Sequence, residues 1–549
     1  MTQHLASRPR RIVLSALAGA SIVALAAGCS GTPAAQESSE PVEGGSLTFA
    51  LDSSPDNLDP GSSSSAVNAE VMRQVFDSLV WQSPDHEFKP WLAEDWSVSD
   101  DGTEYTFSLR DGVTFHDGSE FDAASVCFNF DRVTDPATKS RSAISALGAF
   151  YDGCEASGDL EVTLSLTQPD ATFLSGLSQV WLGIQSPAAV EEYGDDITTH
   201  PVGTGPFVFD SMALNSNVVL TKNADYDWAP EGMNHSGAAY LDTLKFLVVT
   251  EPTTRFRSIG NNVDAAEAIA TQDVATAKED PALGVDVVSV PGTPYQLFFN
   301  ESHAPWDTVE ARKAARMAMD IPSIIESLYF GVYDRAWSPL TPASKYFDDS
   351  LEGSVEYDID AAKAAFDDLG WVEGDDGYRY KDGEVLKLDY LVPSAKREKR
   401  QQVAQFLQEN LKDAGIKVNL EFLASGPYSA TRDKNEYDMM GLSLTSGYSA
   451  LGSIYDSENY PAPGKGNYYN YAQLESEQVD TWIEKAQLAA DDAEAETYWT
   501  NIQQFVIENA VSVPIYNYNY TVAYAAGVHD ISYNWKSYPV FYDAYVSEK

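Results

Sequence analysis

Segments with a two-residue apolar period alternate with segments of helical period along most of this chain, and no block of sequence repeats. Residues 105–109 (Tyr-Thr-Phe-Ser-Leu) and 161–166 alternate as half-buried strands do, whereas 123–133, 309–319, 360–369 and 398–414 carry apolar residues at helical spacing. Strands at 46–51 and 417–423 and helices at 67–80, 479–490 and 494–509 extend the pattern. Asp122 stands as N-cap to the first of these helices, Asp358 or Asp360 to the 360–369 helix, and Gly370 and Gly415 end two of them. A chain that changes period this often must lay helices against sheets, so the fold class is α/β. At 549 residues it exceeds a single domain, and two or more lobes are expected.

The start of the chain has a different character. Arg8, Arg10 and Arg11 precede an apolar run over 12–28, which closes on Leu25-Ala26-Ala27-Gly28-Cys29. That ending resembles the lipobox of bacterial lipoproteins, with Leu25 one place earlier than usual and Ala26 in its position. The resemblance implies a signal peptide over 1–28 and lipidation of Cys29. The Arg10-Arg11 pair leaves both the general secretory and the twin-arginine routes open. Residues 29–45 are rich in Ser, Pro, Gly and Glu without an aromatic, so they read as a flexible tether between lipid and body. Two cysteines then remain, Cys127 and Cys154, and outside the cytoplasm they are candidates for one disulfide.

Charge narrows the function. Eighty-three acids oppose 35 Lys and Arg, a formal net of −48, which becomes −51 once residues 1–28, with three arginines and no acid, are removed. Such a surface repels phosphate backbones, so nucleic acid is excluded as a partner. Enzyme signatures are missing: the chain has no Gly-x-Ser-x-Gly, no His-Glu-x-x-His, no phosphate-binding loop and no Cys-x-x-Cys. The seven histidines stand singly, so no metal site is expected. Gly203-Thr204-Gly205 lacks the third glycine of a dinucleotide fingerprint and reads as a tight loop. His116 reads as a packing residue, Arg312 and Lys313 as a solvated helix face, and Trp91, Trp96, Tyr105 and Phe107 as core.

One ordered set of motifs goes further. Lys89-Pro90-Trp91-Leu92-Ala93-Glu94-Asp95-Trp96 is followed by Asp101-Gly102-Thr103 through Arg110-Asp111-Gly112-Val113, then Phe115-His116-Asp117-Gly118 and Phe121-Asp122-Ala123-Ala124-Ser125-Val126. Gly203-Thr204-Gly205-Pro206-Phe207, Asn223 to Trp228, Pro305-Trp306-Asp307 and Tyr357-Asp358 through Gly370-Trp371 come after in order. This set resembles the family 5 solute-binding proteins, the receptor lipoproteins of peptide, nickel and opine-type ABC importers.

The resemblance implies a two-lobed periplasmic-binding-protein-like fold of type II, in the large cluster with an extra subdomain on the first lobe, that closes like a hinge on its ligand. Residues 46–292, joined by 516–549, would form the N-terminal lobe and 293–515 the second, with crossings near 291–294 and 514–516. Such a protein is no enzyme, needs no cofactor, acts as a monomer, and hands a small solute or oligopeptide to a membrane permease driven by its ATPases. Peptide-binding relatives carry an acid after the strand matched here by Tyr437-Asp438-Met439-Met440-Gly441. Here 444–451 has none, and Asp456 is the nearest. Oligopeptide remains the first expectation and oligosaccharide the second, on account of 30 Tyr and 11 Trp; a secreted lipoprotein enzyme and a receptor acting without transport are the readings from other classes. Candidate ligand contacts are Ser446 and Tyr448 as neutral hydrogen-bonding groups, Tyr455 and Trp337 as stacking faces, and Asp52 as an acceptor.

Overall fold

The computed structural model describes residues 40–395, 398–465, 468–489 and 492–547. The expected leader, Cys29 and most of the tether lie outside these residues.

Two sheets organise the body. The first has seven strands in the order Leu283–Ser289, Asn519–Ala525, Ala265–Glu267, Ser46–Leu51, Thr243–Val248, Asn217–Lys222 and Phe207–Ala213. Ser46–Leu51 runs parallel to both its neighbours, and the other pairings are antiparallel. Its central strand exposes Ser46, leaves Thr48 half-buried and buries Leu47, Phe49, Ala50 and Leu51 fully, as a strand covered on both faces should. The second sheet has five strands in the order Lys417–Leu423, Lys387–Pro393, Met439–Leu442, Tyr295–Phe299 and Ser512–Tyr516. The chain passes from the first sheet to the second between Ser289 and Tyr295, and back between Tyr516 and Asn519.

A four-stranded antiparallel sheet, Ala93–Val98, Glu104–Leu109, Glu161–Leu166 and Tyr151–Ala156, forms a further unit. The helix Ala123–Thr134 packs on its last strand, and a disulfide between Cys127 and Cys154 ties the two together. Asp122 caps that helix, accepting from the Ser125 N–H while the Ser125 hydroxyl answers at the Asp122 backbone. Phe107, Val162, Leu164 and Phe130 merge this unit into the core of the first sheet.

Two expectations are corrected. The first helix, Ala66–Val75, stops five residues short of the expected 80 and gives way to the strand Val80–Gln82. The loop at Gly203 and Gly205 sits directly on its end: Gly205 donates its N–H to the Val75 carbonyl at 2.9 Å, and a Cβ on Gly203 would lie 2.1 Å from that same oxygen. Another helical turn has no room there, and only glycine permits the approach.

Arg312, in the helix Val309–Met317, is not solvated; it is 2 % exposed. Its guanidinium donates to the Trp306 and Asn509 carbonyls at 2.8 and 3.0 Å and pairs with Glu301 at 3.3 Å. Arg316 likewise reaches the Ile507 carbonyl. The supposed polar side therefore meets the carbonyl end of the helix Asp492–Glu508, where the orphan acceptors and the negative dipole end attract cations. Lys313 alone of the pair is exposed.

Candidate functional site

Residues 141–146 and 172–181, the loops at the two crossings and the C-terminal residues 535–538 help to line two chambers. The smaller, about 380 Å³, has Gln82, Gln179 and Trp181 on one wall and Lys345 with residues 446–449 on the other. The larger, about 580 Å³, has Asp52, Glu70, Glu267 and Tyr520 facing Tyr333, Glu398 and Thr445. Trp535 lines the smaller chamber and Lys536 lines both, so the two chambers are neighbouring parts of one cleft. The His86 ring joins the walls at the smaller chamber through a 2.9 Å contact from Nε2 to the Ala343 carbonyl.

Ser446 and Tyr448 line the smaller chamber, and Asp52 lines the larger. Tyr448 packs edge-on against Tyr346 with ring centres 4.8 Å apart, which fixes its ring while burial keeps its hydroxyl protonated as a donor. Tyr455 and Trp337 are not brought to the cleft. Tyr455 is fully buried beneath the second sheet, where its hydroxyl meets Gln296 Oε1 at 3.1 Å and Ser512 Oγ at 2.9 Å. It offers no free face for stacking, because the helix Ala450–Tyr455 turns it inward against Phe298. Trp337 is covered by the Arg335 guanidinium, 4.5 Å above its ring, and lines neither chamber. Asp456 caps a short turn by accepting the Glu458 N–H.

The residues that sequence reasoning missed carry most of the charge. Glu70, on the first helix, and Glu267, at the end of a central strand, are 4 % and 3 % exposed. The Tyr520 hydroxyl donates to Glu267 at 2.5 Å and lies 3.5 Å from Glu70, and the Asp52 N–H donates to Glu267 at 2.8 Å. Burial first, and for Glu70 the neighbouring Glu267 second, pushes both carboxyls up from their ordinary range. Arg255 makes no ion pair with either carboxyl among the described residues: its guanidinium donates to the carbonyls of Val249, Glu267 and Ala268, and Glu267 and Asp52 act on its charge only from a distance. Glu398 has its own cation, Arg400 at 2.8 Å, and accepts from the Tyr516 hydroxyl at 2.8 Å.

Lys536 is the opposite case. As a residue it is half-buried, yet its ammonium sits deep enough that burial lowers its pKa to about 8. Among the described residues no carboxylate pairs with it; its near neighbour is the Trp535 ring, 5.1 Å away. The run Tyr533-Asn534-Trp535-Lys536, a lone cation among aromatics, was the available signal in the sequence. Among the described residues no group of three or more His, Cys, Asp or Glu is placed to hold a metal ion.

Two lobes joined by two crossings around a lined cleft define a solute-binding protein of the periplasmic type. Residues 87–465 match the family described as bacterial extracellular solute-binding proteins, family 5 middle region, and the chain belongs to that family. It is 26 % identical over 479 residues to the glutathione-binding protein GsiB of Escherichia coli, covering 85 % of this chain and 88 % of that one. Solved structures share the fold. NikA from Brucella suis in complex with Fe(III)-EDTA superposes with a TM-score of 0.80 at 22 % identity over 92 % of this chain and all of that one. DppA from Helicobacter pylori in complex with the peptide STSA gives 0.72 at 23 % identity, over 92 % of this chain and 99 % of that one. No helix among the described residues is long and apolar enough to cross a membrane.

Proposed function

We propose that this chain is the receptor of an ABC importer, catching an oligopeptide between its lobes and presenting it, as a monomer, to a membrane permease and its ATPases. Residues 46–292 with 516–549 form one lobe in this reading and 293–515 the other, while Cys29 holds the protein to the membrane by lipid. The observation that carries it is the cleft itself: two adjoining chambers of about 380 and 580 Å³, lined by neutral donors and by charges of both signs. That space suits a short extended chain, whose backbone offers donors and acceptors along its length. A glutathione-binding relative and a peptide-bound neighbour support the same class.

Oligosaccharide fits less well. Trp181 and Trp535 reach the smaller chamber but are only 6 % and 8 % exposed, so they offer little face on which a sugar ring would stack. Catalysis has little support in the site: among the described residues its acids pair with one another, with tyrosine or with arginine, and Asp52 accepts from the Ser53 hydroxyl at 2.7 Å with no histidine lining the same chamber. Ligand would act by preferring the closed arrangement of the lobes.

The test is native against denaturing mass spectrometry of protein purified without residues 1–28. Extra mass that is lost on denaturation and fragments as peptide is the expected result. Extra mass that fragments as glycan would overturn the peptide assignment, and turnover of an added peptide or glycan would overturn the receptor assignment.

A further inference from the structure

The charges in the cleft are sorted. Among the described residues the smaller chamber is lined by Arg141, Lys345 and Lys536 and by no carboxylate, in a chain with 83 acids and 35 Lys and Arg. The larger is lined by Asp52, Glu70, Glu267 and Glu398, with Lys536 at its boundary and with Arg255, whose guanidinium is taken up by three backbone carbonyls. Several of these groups are already satisfied. Lys345 pairs with Asp492 at 2.8 Å, outside the lining, and Glu398 pairs with Arg400. Three features are left over among the described residues: the Lys536 ammonium without a counter-ion, the exposed Asp52 carboxylate, which accepts from the neighbouring Ser53 hydroxyl at 2.7 Å, and two buried glutamates that share the Tyr520 hydroxyl without a cation paired to them.

An enclosed ammonium without a partner is costly to keep, and so is a pair of facing carboxyls. One ligand relieves both when it brings an anion to the first and a cation to the second. The two features share one chamber, which Lys536 bounds on the side of the smaller one.

We propose that Lys536 is the subsite for a ligand carboxylate, and that Asp52, Glu70 and Glu267 form the subsite for a ligand ammonium group, so that the captured solute is dipolar and enters with fixed polarity. This rests on the receptor reading and deepens it. The ammonium is met by the first sheet and first helix, and not by residues 444–451 of the facing wall, which carry no acid. The Tyr520 hydroxyl, donating to Glu267 and within 3.5 Å of Glu70, holds the acidic subsite in place. With the carboxylate on Lys536 at the boundary, the ligand backbone lies in the larger chamber and the side chain of its last residue extends into the smaller one toward Arg141, Ser446 and Tyr448.

The probe is a random tripeptide pool in three forms: free at both ends, amidated at the C-terminus, and acetylated at the N-terminus. Retention is read by equilibrium dialysis and mass spectrometry on the whole protein without residues 1–28. The parent should retain the free pool and bind the amidated and acetylated pools more than about tenfold more weakly, as loss of one charged contact predicts. Lys536→Met should bind free and amidated pools alike while still rejecting the acetylated one, and Lys536→Arg should restore the preference for a free carboxylate. Glu70→Gln, with folding checked by circular dichroism, should narrow the difference between free and acetylated pools.

Equal binding of free and amidated pools by the parent would overturn the proposal, as would loss of all three pools to the same degree in Lys536→Met. Failure to retain any free tripeptide would overturn it too. In each of these cases the receptor reading stands or falls separately, on whether the purified protein carries a captured solute.

Discussion

Replacing Lys536 by methionine should make the empty protein more stable. Burial lowers this ammonium from its ordinary 10.5 to about 8, and each unit corresponds to about 1.4 kcal/mol between the protonation states. After allowance for the solvent that reaches a half-buried residue, holding the charge in the cleft costs about 2–3 kcal/mol at neutral pH. Methionine keeps the length and the apolar stem and removes the charge. The sign follows from proton binding: between about 8 and 10.5 the folded state has released this proton and the unfolded state still holds it, so the parent gains stability as pH rises across that window. The advantage of Lys536→Met is therefore full below pH 8 and fades to nothing by about pH 10.5. The assay is chemical denaturation of parent and variant in parallel from pH 6 to 10, with no peptide present. A variant less stable than the parent at pH 7, or a gain that does not change with pH, would refute the reasoning.

Glu70→Gln should also stabilise the empty protein at pH 7, because a carboxyl raised in the folded state loses stability as pH climbs above its unfolded value of 4.5; a parallel pH series of denaturation midpoints shows it as a flatter curve. Tyr448→Ala should weaken binding of the free tripeptide pool by more than about tenfold, read by equilibrium dialysis. Tyr455→Phe should leave that affinity unchanged but cost about 1–2 kcal/mol in denaturation, since Gln296 Oε1 loses its buried donor. The double change Cys127→Ser with Cys154→Ser, which opens a loop of 27 residues, should cost about 3.5 kcal/mol, seen as earlier proteolysis around the helix Ala123–Thr134. Gly205→Ala should cost at least about 1–3 kcal/mol in thermal unfolding, because its Cβ would stand 2.6 Å from the Val75 carbonyl carbon.

Local periodicity carried the elements well. The strands at 46–51, 161–166 and 417–423 and the helix capped by Asp122 lie where alternation and capping chemistry place them. What periodicity does not contain is the neighbour. The first helix stops at Val75 because a loop 130 residues later presses on its end, and Arg312 is buried because its helix meets the carbonyl end of another. The same gap explains the site. Ser446, Tyr448 and Asp52 follow recognisable strands and line the chambers, whereas Tyr455, one helix further on, faces inward. Glu70 and Glu267 lie about 200 residues apart, one within a helix and one within a strand, and among 83 acids nothing local distinguishes them.

The strand Asn519–Ala525 lies inside the seven-stranded sheet, between Leu283–Ser289 and Ala265–Glu267, pairing Val285 with Ala523 and Ala265 with Tyr524. A chain emerging from the ribosome has all the other strands of that sheet in hand long before this one is made. Until then, Ala265–Glu267 and Leu283–Ser289 each expose an unpaired row of amides with no partner to close it. The sheet cannot be completed while synthesis is under way, and contacts this distant in sequence also form slowly. A chain truncated ahead of residue 519 should therefore stay open, protease-sensitive and prone to aggregate, and the intact chain remains threadable until its last tenth has been delivered.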